Sequence, residues 1–195
     1  MIKVFLVEDE VVMRNGIKNN IPWEKEGLIF AGEASDGELA YPMIKKAQPD
    51  ILITDIRMPF MDGLELSELV KKEFPKIKLI ILSGYNEFDY AKQAIHIGVT
   101  DYLLKPITAS KLLEAVKKVA DVIEKEREEE GMLERYRLEM AENTVLERQR
   151  LFRDLVTSRI NFKEALERGE ELGLELSASF YQLMLFKLIP SGPSS

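Results

Sequence analysis

Residues 49–63 read PDILITDIRMPFMDG. The run Ile51, Leu52, Ile53 is apolar without alternation, the pattern of a short strand covered on both faces, and it ends at Asp55. Pro59 and Gly63 then punctuate a loop and a helix start. In an open α/β sheet, ligands and chemistry collect at the carboxyl ends of the strands. A carboxylate delivered to that edge is either a helix cap or a reactive group, and the rest of the chain decides between them.

Working outward, the same alternation of strand and helix repeats. IKVFLV at 2–7 is short and β-branched and runs into Glu8-Asp9-Glu10. Val12 to Asn20 carry a helical pattern, and Leu28 to Ala34 read as a second strand. Between them, Ile21-Pro22-Trp23-Glu24 holds the single tryptophan, read as a packing residue. Asp36 and Gly37 open a helix with Ala40, Met43, Ile44 and Ala47 at the spacing of one buried stripe. Pro42 lies inside it. A proline there removes a backbone donor and clashes with the preceding turn, which predicts a kink or a late start.

After Asp55, a helix from Gly63 to Phe74 turns Leu66, Leu69 and Val70 inward and stops at Pro75. Leu79 to Leu82 form another buried strand, ending at Ser83-Gly84. Asn86 is a candidate N-cap for a helix through Ala91, Ala94 and Ile95, and Gly98 stands in the glycine C-cap place. A fifth strand, Thr100 to Leu104, runs into Lys105-Pro106. Thr108 or Ser110 then caps a helix carrying Leu112, Val116, Val119 and Ile123. Five strands, each followed by a helix, predict an α/β fold: a doubly wound five-stranded parallel sheet with helices on both faces.

Past Ile123 the character changes. EKEREEE at 124–130 is almost all charge, and a heptad seam through Ile123, Leu133 and Met140 is interrupted at Glu126 and Glu130. The expected organisation is a domain over 1–122, a charged helical linker and possible coiled coil over 123–150, and a second domain that starts at 151 and is cut short by 195. In that last part Leu151 to Leu172 look helical, with Gly173 as the stop, and FYQLMLFKLI at 180–189 reads as one strand.

Composition narrows the function. The 195 residues are 46% hydrophobic, enough for a real core, and carry a net charge of −7. Neither half is a basic nucleic-acid surface, so if the protein acts on DNA the reader is elsewhere. There is no cysteine, hence no disulfide and no thiolate metal site. No signal-peptide pattern and no membrane-length apolar run are present, so the expectation is a soluble, cytoplasmic protein without a membrane partner.

In a parallel sheet of this kind the carboxyl ends of the first, third, fourth and fifth strands lie side by side. Glu8, Asp9, Asp55, Ser83 and Lys105 can therefore share one cleft although they span nearly a hundred positions. Such an acid cluster suits Mg²⁺, a hard ion that prefers oxygen ligands. An aspartate beside Mg²⁺ can attack phosphorus and become an aspartyl phosphate. Lys105 can then meet one phosphoryl oxygen as a point charge, and Ser83 can donate a hydrogen bond to another.

Glu8-Asp9, DIRMP around Asp55, LSGYNEFDYA around Ser83 and DYLLKP ending at Lys105-Pro106 together resemble the receiver domain of bacterial two-component response regulators. The resemblance covers residues 1 to 122. It implies a flavodoxin-like sheet in the order 2-1-3-4-5, with Asp55 accepting phosphate from a sensor histidine kinase. It implies Mg²⁺ held by Glu8, Asp9, Asp55 and the backbone carbonyl of Arg57. It also implies Ser83 and Tyr102 as a coupled switch pair, Lys105 as the site cation, and a homodimer formed on phosphorylation. The SGYNEF and DYLLKP wording, Pro22-Trp23-Glu24 and the helical linker look most like the subgroup whose members end in an AraC-type DNA-binding domain. That domain, through which transcription is controlled, is absent from these residues.

Arg57 and Tyr85, two positions after Asp55 and Ser83, are expected to tune hydrolysis of the phosphoryl group by gating water. Pro59, Gly63 and Pro106 shape the loops, and Pro106 is a candidate cis bond that turns Lys105 inward. His96, the single histidine, reads as a surface or packing residue rather than a phosphate relay. A turnover enzyme is not expected: a phosphatase of the haloacid dehalogenase type needs an acid two residues after the nucleophile, where Arg57 stands. The alternative is a receiver-like interaction module that is never phosphorylated, against which every acid, hydroxyl and lysine position is filled. Cofactor binding of the flavodoxin or dinucleotide type lacks its glycine-rich or Ser/Thr phosphate loop after the first strand.

Overall fold

A computed structural model describes residues 1–84 and 88–176. Five strands, β1 (Ile2–Val7), β2 (Leu28–Ala34), β3 (Ile51–Asp55), β4 (Lys78–Ser83) and β5 (Asp101–Leu104), form one parallel sheet in the order β2-β1-β3-β4-β5. The helices are α1 (Val11–Asn20), α2 (Gly37–Ala47), α3 (Gly63–Glu73), α4 (Phe88–Ile97), α5 (Ala109–Val156) and α6 (Phe162–Glu171). The doubly wound sheet expected from the strand and helix alternation is the one observed.

Side chains alternate across the sheet, and the alternation sorts the core. Val4, Leu6, Ile51, Ile53, Ile80 and Leu82 face one way and meet Ile17 of α1 and Leu112, Val116, Val119 and Ile123 of α5. Phe5, Val7, Leu52 and Leu79 face the other way and meet Ala40 and Ile44 of α2 and Leu66 and Val70 of α3. All five residues of β3 are buried, as a strand covered on both faces requires. Trp23 is buried in a 3-10 turn, donates its ring N–H to the Lys18 carbonyl and stacks at 5.4 Å on Phe30.

Local signals set most boundaries. Asp36 caps α2 by accepting from Leu39 N–H at 2.9 Å, and Asp62 with Glu65 forms a reciprocal capping box at α3. Thr108, not Ser110, caps α5, accepting from Lys111 N–H at 3.2 Å. Gly98 closes α4 in the left-handed region at φ 80°.

Three expectations need correction, and three others fall on residues that are not described. The late start expected of α2 is absent: the helix begins at Gly37 and runs through Pro42. The Asp36 cap and the complete burial of Ala40 and Ile44 hold it, while Pro42 faces solvent, where water can serve the freed carbonyl. Met43 is exposed, because it lies one residue, about 100°, round from Ile44. Leu151 to Leu172 is not one helix. Ser158 adopts φ 56° and Asn161 caps a new helix by accepting from Glu164 N–H at 2.9 Å, so α5 ends at Val156. Asn86, Tyr85 and the strand expected at 180–189 lie outside the described residues.

The chain divides into two compact units between Glu129 and Glu130. In the first, Lys78 pairs with Glu126 at 2.6 Å and Asp50 with Arg127, tying the first half of α5 to the sheet. In the second, Leu151 of α5 and Ala165 of α6 are buried, and the Arg148 guanidinium donates to the Leu172 carbonyl at 2.7 Å. No helix among the described residues is long and apolar enough to cross a membrane.

Gly63 is where the fold touches the site. A Cβ there would sit 1.8 Å from the Asp55 carbonyl oxygen, so the start of α3 can approach β3 only as glycine. Gly16, inside α1, has open surroundings, its nearest neighbour lying 3.9 Å away. Gly63→Ala is therefore expected to lower unfolding stability by at least about 3 kcal/mol. Gly16→Ala is expected to raise it by about 0.5–1 kcal/mol, since alanine loses less backbone entropy in a helix. Urea denaturation checks both, and equal effects at the two positions would refute the close-approach argument.

Candidate functional site

The order β2-β1-β3-β4-β5 puts the carboxyl ends of β1, β3, β4 and β5 along one edge. β1 delivers Glu8 and Asp9, β3 Asp55, β4 Ser83, and the turn after β5 Lys105. One carboxylate oxygen from each of Glu8, Asp9 and Asp55 lies within 4.8 Å of the other two. Lys105 Nζ donates to Asp55 at 2.8 Å and to both Glu8 oxygens at 2.9 and 3.1 Å. Its peptide bond to Pro106 is cis, and its own N–H donates to the Ser83 carbonyl at 2.7 Å. Asp55, Ser83 and Lys105 line a small cavity of about 190 Å³ together with Ile56, Arg57, Gly84 and Tyr90. That volume takes a phosphoryl group and several waters, but it falls short of the roughly 300 Å³ at which pockets for drug-sized ligands begin.

Backbone contacts fix the Asp55 side chain. Ile56 N–H donates to Asp55 Oδ1 at 2.8 Å, and the Asp55 carbonyl accepts from Thr54 Oγ1 at 3.0 Å. Gly63 N–H donates to the Ile56 carbonyl at 2.9 Å, closing the loop in which Pro59 lies and Phe60 holds φ 68°. On the β1 side, Arg14 donates to the Glu8 carbonyl at 2.6 Å and so holds the turn that presents the two acids.

Electrostatics follow from burial. Glu8 is fully buried, and desolvation pushes its carboxyl above the usual range, with the neighbouring Asp55 charge adding to the rise and the Lys105 bond opposing it. Burial alone would lower the Lys105 ammonium, but its bonds to Asp55 and Glu8 outweigh that and hold it above the ordinary lysine value. Two of the three acids thus share one cation, and hard oxygen donors beside a partly desolvated charge are the environment that suits a divalent ion such as Mg²⁺.

Of the remaining residues named from sequence, Arg57 lines the same cavity. Tyr102, on β5, packs against Ile56, Leu64, Ile81 and Ala94, and its hydroxyl is buried with no hydrogen-bond partner among the described residues. Arg57 is exposed on the loop after β3, and His96 is exposed on α4. Tyr85 is outside the described residues. Tyr90 and Arg14 were not singled out by sequence. Tyr90 sits within the LSGYNEFDYA stretch, but helical spacing alone gives it only a half-buried place. Arg14 acts through backbone carbonyls, which no motif records. A larger hollow of about 650 Å³ between α3 and α4, lined by Glu68, Asp89 and Lys92 among others, gathers no comparable set.

Residues 4–117 match the model of the response regulator receiver domain. The chain belongs to the response regulator receiver family. This receiver is 41% identical over 119 residues to the transcriptional regulatory protein YesN of Bacillus subtilis, covering 61% of this chain and 32% of that protein. It is similar to the REC domain of AraT, a response regulator from Geobacillus stearothermophilus, at 39% identity and a TM-score of 0.61, covering 65% of this chain and 98% of the other. It is also similar to a two component transcriptional regulator AraC from Clostridium phytofermentans, at 30% identity and a TM-score of 0.58, covering 66% and 99%. The chain spans about a third to a half of the length of the curated relatives it matches.

Removing the shared cation exposes the cost of the cluster. Lys105→Met leaves Glu8 buried beside Asp55 without a counter-charge, and in metal-free buffer the expected loss is about 3–5 kcal/mol of unfolding stability. Adding Glu8→Gln recovers part of it. A carboxyl whose folded pKa lies above its unfolded value penalises folding once it is ionised, so the Lys105→Met deficit shrinks as pH falls from about 7 to about 5. Chemical denaturation across that range checks the sign, and a deficit independent of pH would contradict it.

Proposed function

We propose that this receiver is a phosphorylation switch in which Asp55 accepts a phosphoryl group from the histidine of a sensor kinase. The observation that carries the reading is Lys105 Nζ bound at once to Asp55 and Glu8 beside a cavity of phosphoryl size. An Asp55 oxygen attacks phosphorus, the bond from phosphorus to the kinase imidazole nitrogen breaks, and its electron pair stays on the imidazole. Glu8, Asp9, Asp55 and the Arg57 carbonyl would hold Mg²⁺, which supplies charge neutralisation for the phosphoryl oxygens when bound.

Lys105 then follows the new charge onto a phosphoryl oxygen, and the Ser83 hydroxyl donates to another. Tyr102, whose buried hydroxyl lacks a partner among the described residues, moves into the space that Ser83 leaves. The change is a population shift, driven by contacts that exist only with the phosphoryl group in place. The shifted face of α4, β5 and α5 favours a homodimer. Arg57 and Tyr85 tune the loss of the phosphoryl group, so the protein is a self-resetting switch and not a turnover enzyme.

Residues 123–150 serve as a helical linker from the receiver to a following region. Control of transcription, in this reading, runs through an AraC-type DNA-binding domain beyond these residues, consistent with the names of the relatives. A soluble cytoplasmic protein meeting a kinase fits the acidic, cysteine-free composition.

Incubation with a small phosphodonor and Mg²⁺ is expected to add the mass of one phosphoryl group to the wild type and none to Asp55→Asn. Chelation of the metal abolishes the gain. No gain on the wild type, or the same gain on Asp55→Asn, sinks the proposal. Light scattering of the same samples is expected to show a larger assembly only where phosphate has been added.

A further inference from the structure

Two side chains at the cavity mouth have no part in the strand-end chemistry. Arg57 stands on the exposed loop after β3, and its guanidinium carbon lies 5.9 Å from the ring centroid of Tyr90. Tyr90 belongs to the first turn of α4, and both residues line the cavity that holds Asp55, Ser83 and Lys105. The loop after β3 and the start of α4 thus face one another across the opening, bridged by a cation–π contact.

The other side of Tyr90 reaches the core. Its ring packs against the cluster of Ile56, Leu64, Ile81 and Ala94, which also takes the ring of Tyr102. Ile56 is the residue between Asp55 and Arg57. One small cluster therefore supports the acceptor loop, the aromatic ring under Arg57 and the tyrosine with an unsatisfied hydroxyl. A packed cluster of this size does not take up a new ring position without moving its other members.

Hydrolysis of an aspartyl phosphate fixes the geometry that matters. A water oxygen attacks phosphorus opposite Asp55, the bond from phosphorus to the carboxylate oxygen breaks, and its electron pair stays on Asp55. Both of the water's protons leave with inorganic phosphate. The attacking water has to come from the side of the phosphoryl group away from Asp55, which is the solvent side that Arg57 and Tyr90 border.

We infer that Tyr90 is a positioning residue that holds Arg57 across the mouth of the acceptor cavity and, through the cluster it shares with Tyr102, makes water access depend on the switch. The inference rests on the reading of Asp55 as phosphoacceptor and deepens it: Arg57 acts on the lifetime of the signal as one half of a stacked pair, not alone.

The test uses the full chain, phosphorylated with a small phosphodonor and Mg²⁺, freed of excess donor and followed by intact mass. Tyr90→Leu keeps apolar volume but removes the π face, and it is expected to shorten the phosphoryl lifetime roughly two- to fivefold, the range an exposed cation–π contact supports. Tyr90→Phe is expected to restore the wild-type lifetime. Arg57→Ala is expected to shorten it as Tyr90→Leu does, with no further shortening in the double variant. Because Arg57 is exposed, that variant keeps the test alive should Tyr90→Leu not fold. Tyr102→Ala is expected to alter the lifetime in the wild type and not in the Tyr90→Leu background. An unchanged lifetime in Arg57→Ala, additive effects in the double variant, or Phe as damaging as Leu overturns the inference. Absence of phosphate on the wild type is a separate failure, that of Asp55 as acceptor.

Discussion

One lysine ammonium serving two buried or nearly buried carboxylates is the constraint on which the rest of this structure turns. Glu8 is fully buried and Asp55 almost so, and Lys105 Nζ lies within 3.1 Å of oxygens on both. Desolvating two like charges is unfavourable unless a cation meets them. The cation comes from 97 residues away in sequence, so the arrangement exists only if the sheet is assembled in one order. With β1 between β2 and β3, and β4 and β5 following, Glu8, Asp55, Ser83 and Lys105 arrive at a common edge. The hydrophobic layers on either side of the sheet supply the driving force, and the ionic cluster tells which edge carries the chemistry.

Close approach of backbone to backbone sharpens that edge. The start of α3 comes so near β3 that only hydrogen fits on Gly63, and the Asp62 capping box fixes where the helix begins. The loop from Ile56 to Met61 is thereby pinned at both ends, with Arg57 projecting from it toward α4. The loop after β3, opposite a helix that presents Tyr90, gives the site a defined mouth.

Much of this was legible in residue order, for identifiable reasons. Uninterrupted apolar runs such as Ile51 to Ile53 admit few readings besides a buried parallel strand, and five of them alternating with helical spacing leave little topological freedom. Acids, hydroxyl and lysine at successive strand ends then announce the cluster. What escaped the sequence was local competition. The expectation for Pro42 weighed the proline alone, whereas the Asp36 cap and the burial of Ala40 and Ile44 prevail over it. Met43 fits a helical stripe on paper but lies on its flank. The break at Ser158 to Asn161 carries neither glycine nor proline, so the continuous apolar spacing concealed it. Tyr90 and Arg14 act by geometry across elements, which periodicity within one element does not encode.

The central claim is chemical: the carboxylate held by Lys105 and Ile56 N–H is the group that becomes phosphorylated. Borohydride reduction converts an aspartyl phosphate to homoserine and leaves free aspartate untouched, so peptide mass spectrometry after phosphodonor treatment reads the acceptor directly. The account predicts homoserine at position 55 and nowhere else. Homoserine at position 9 or any other acid, or a phosphoryl group that survives reduction unchanged, would contradict it.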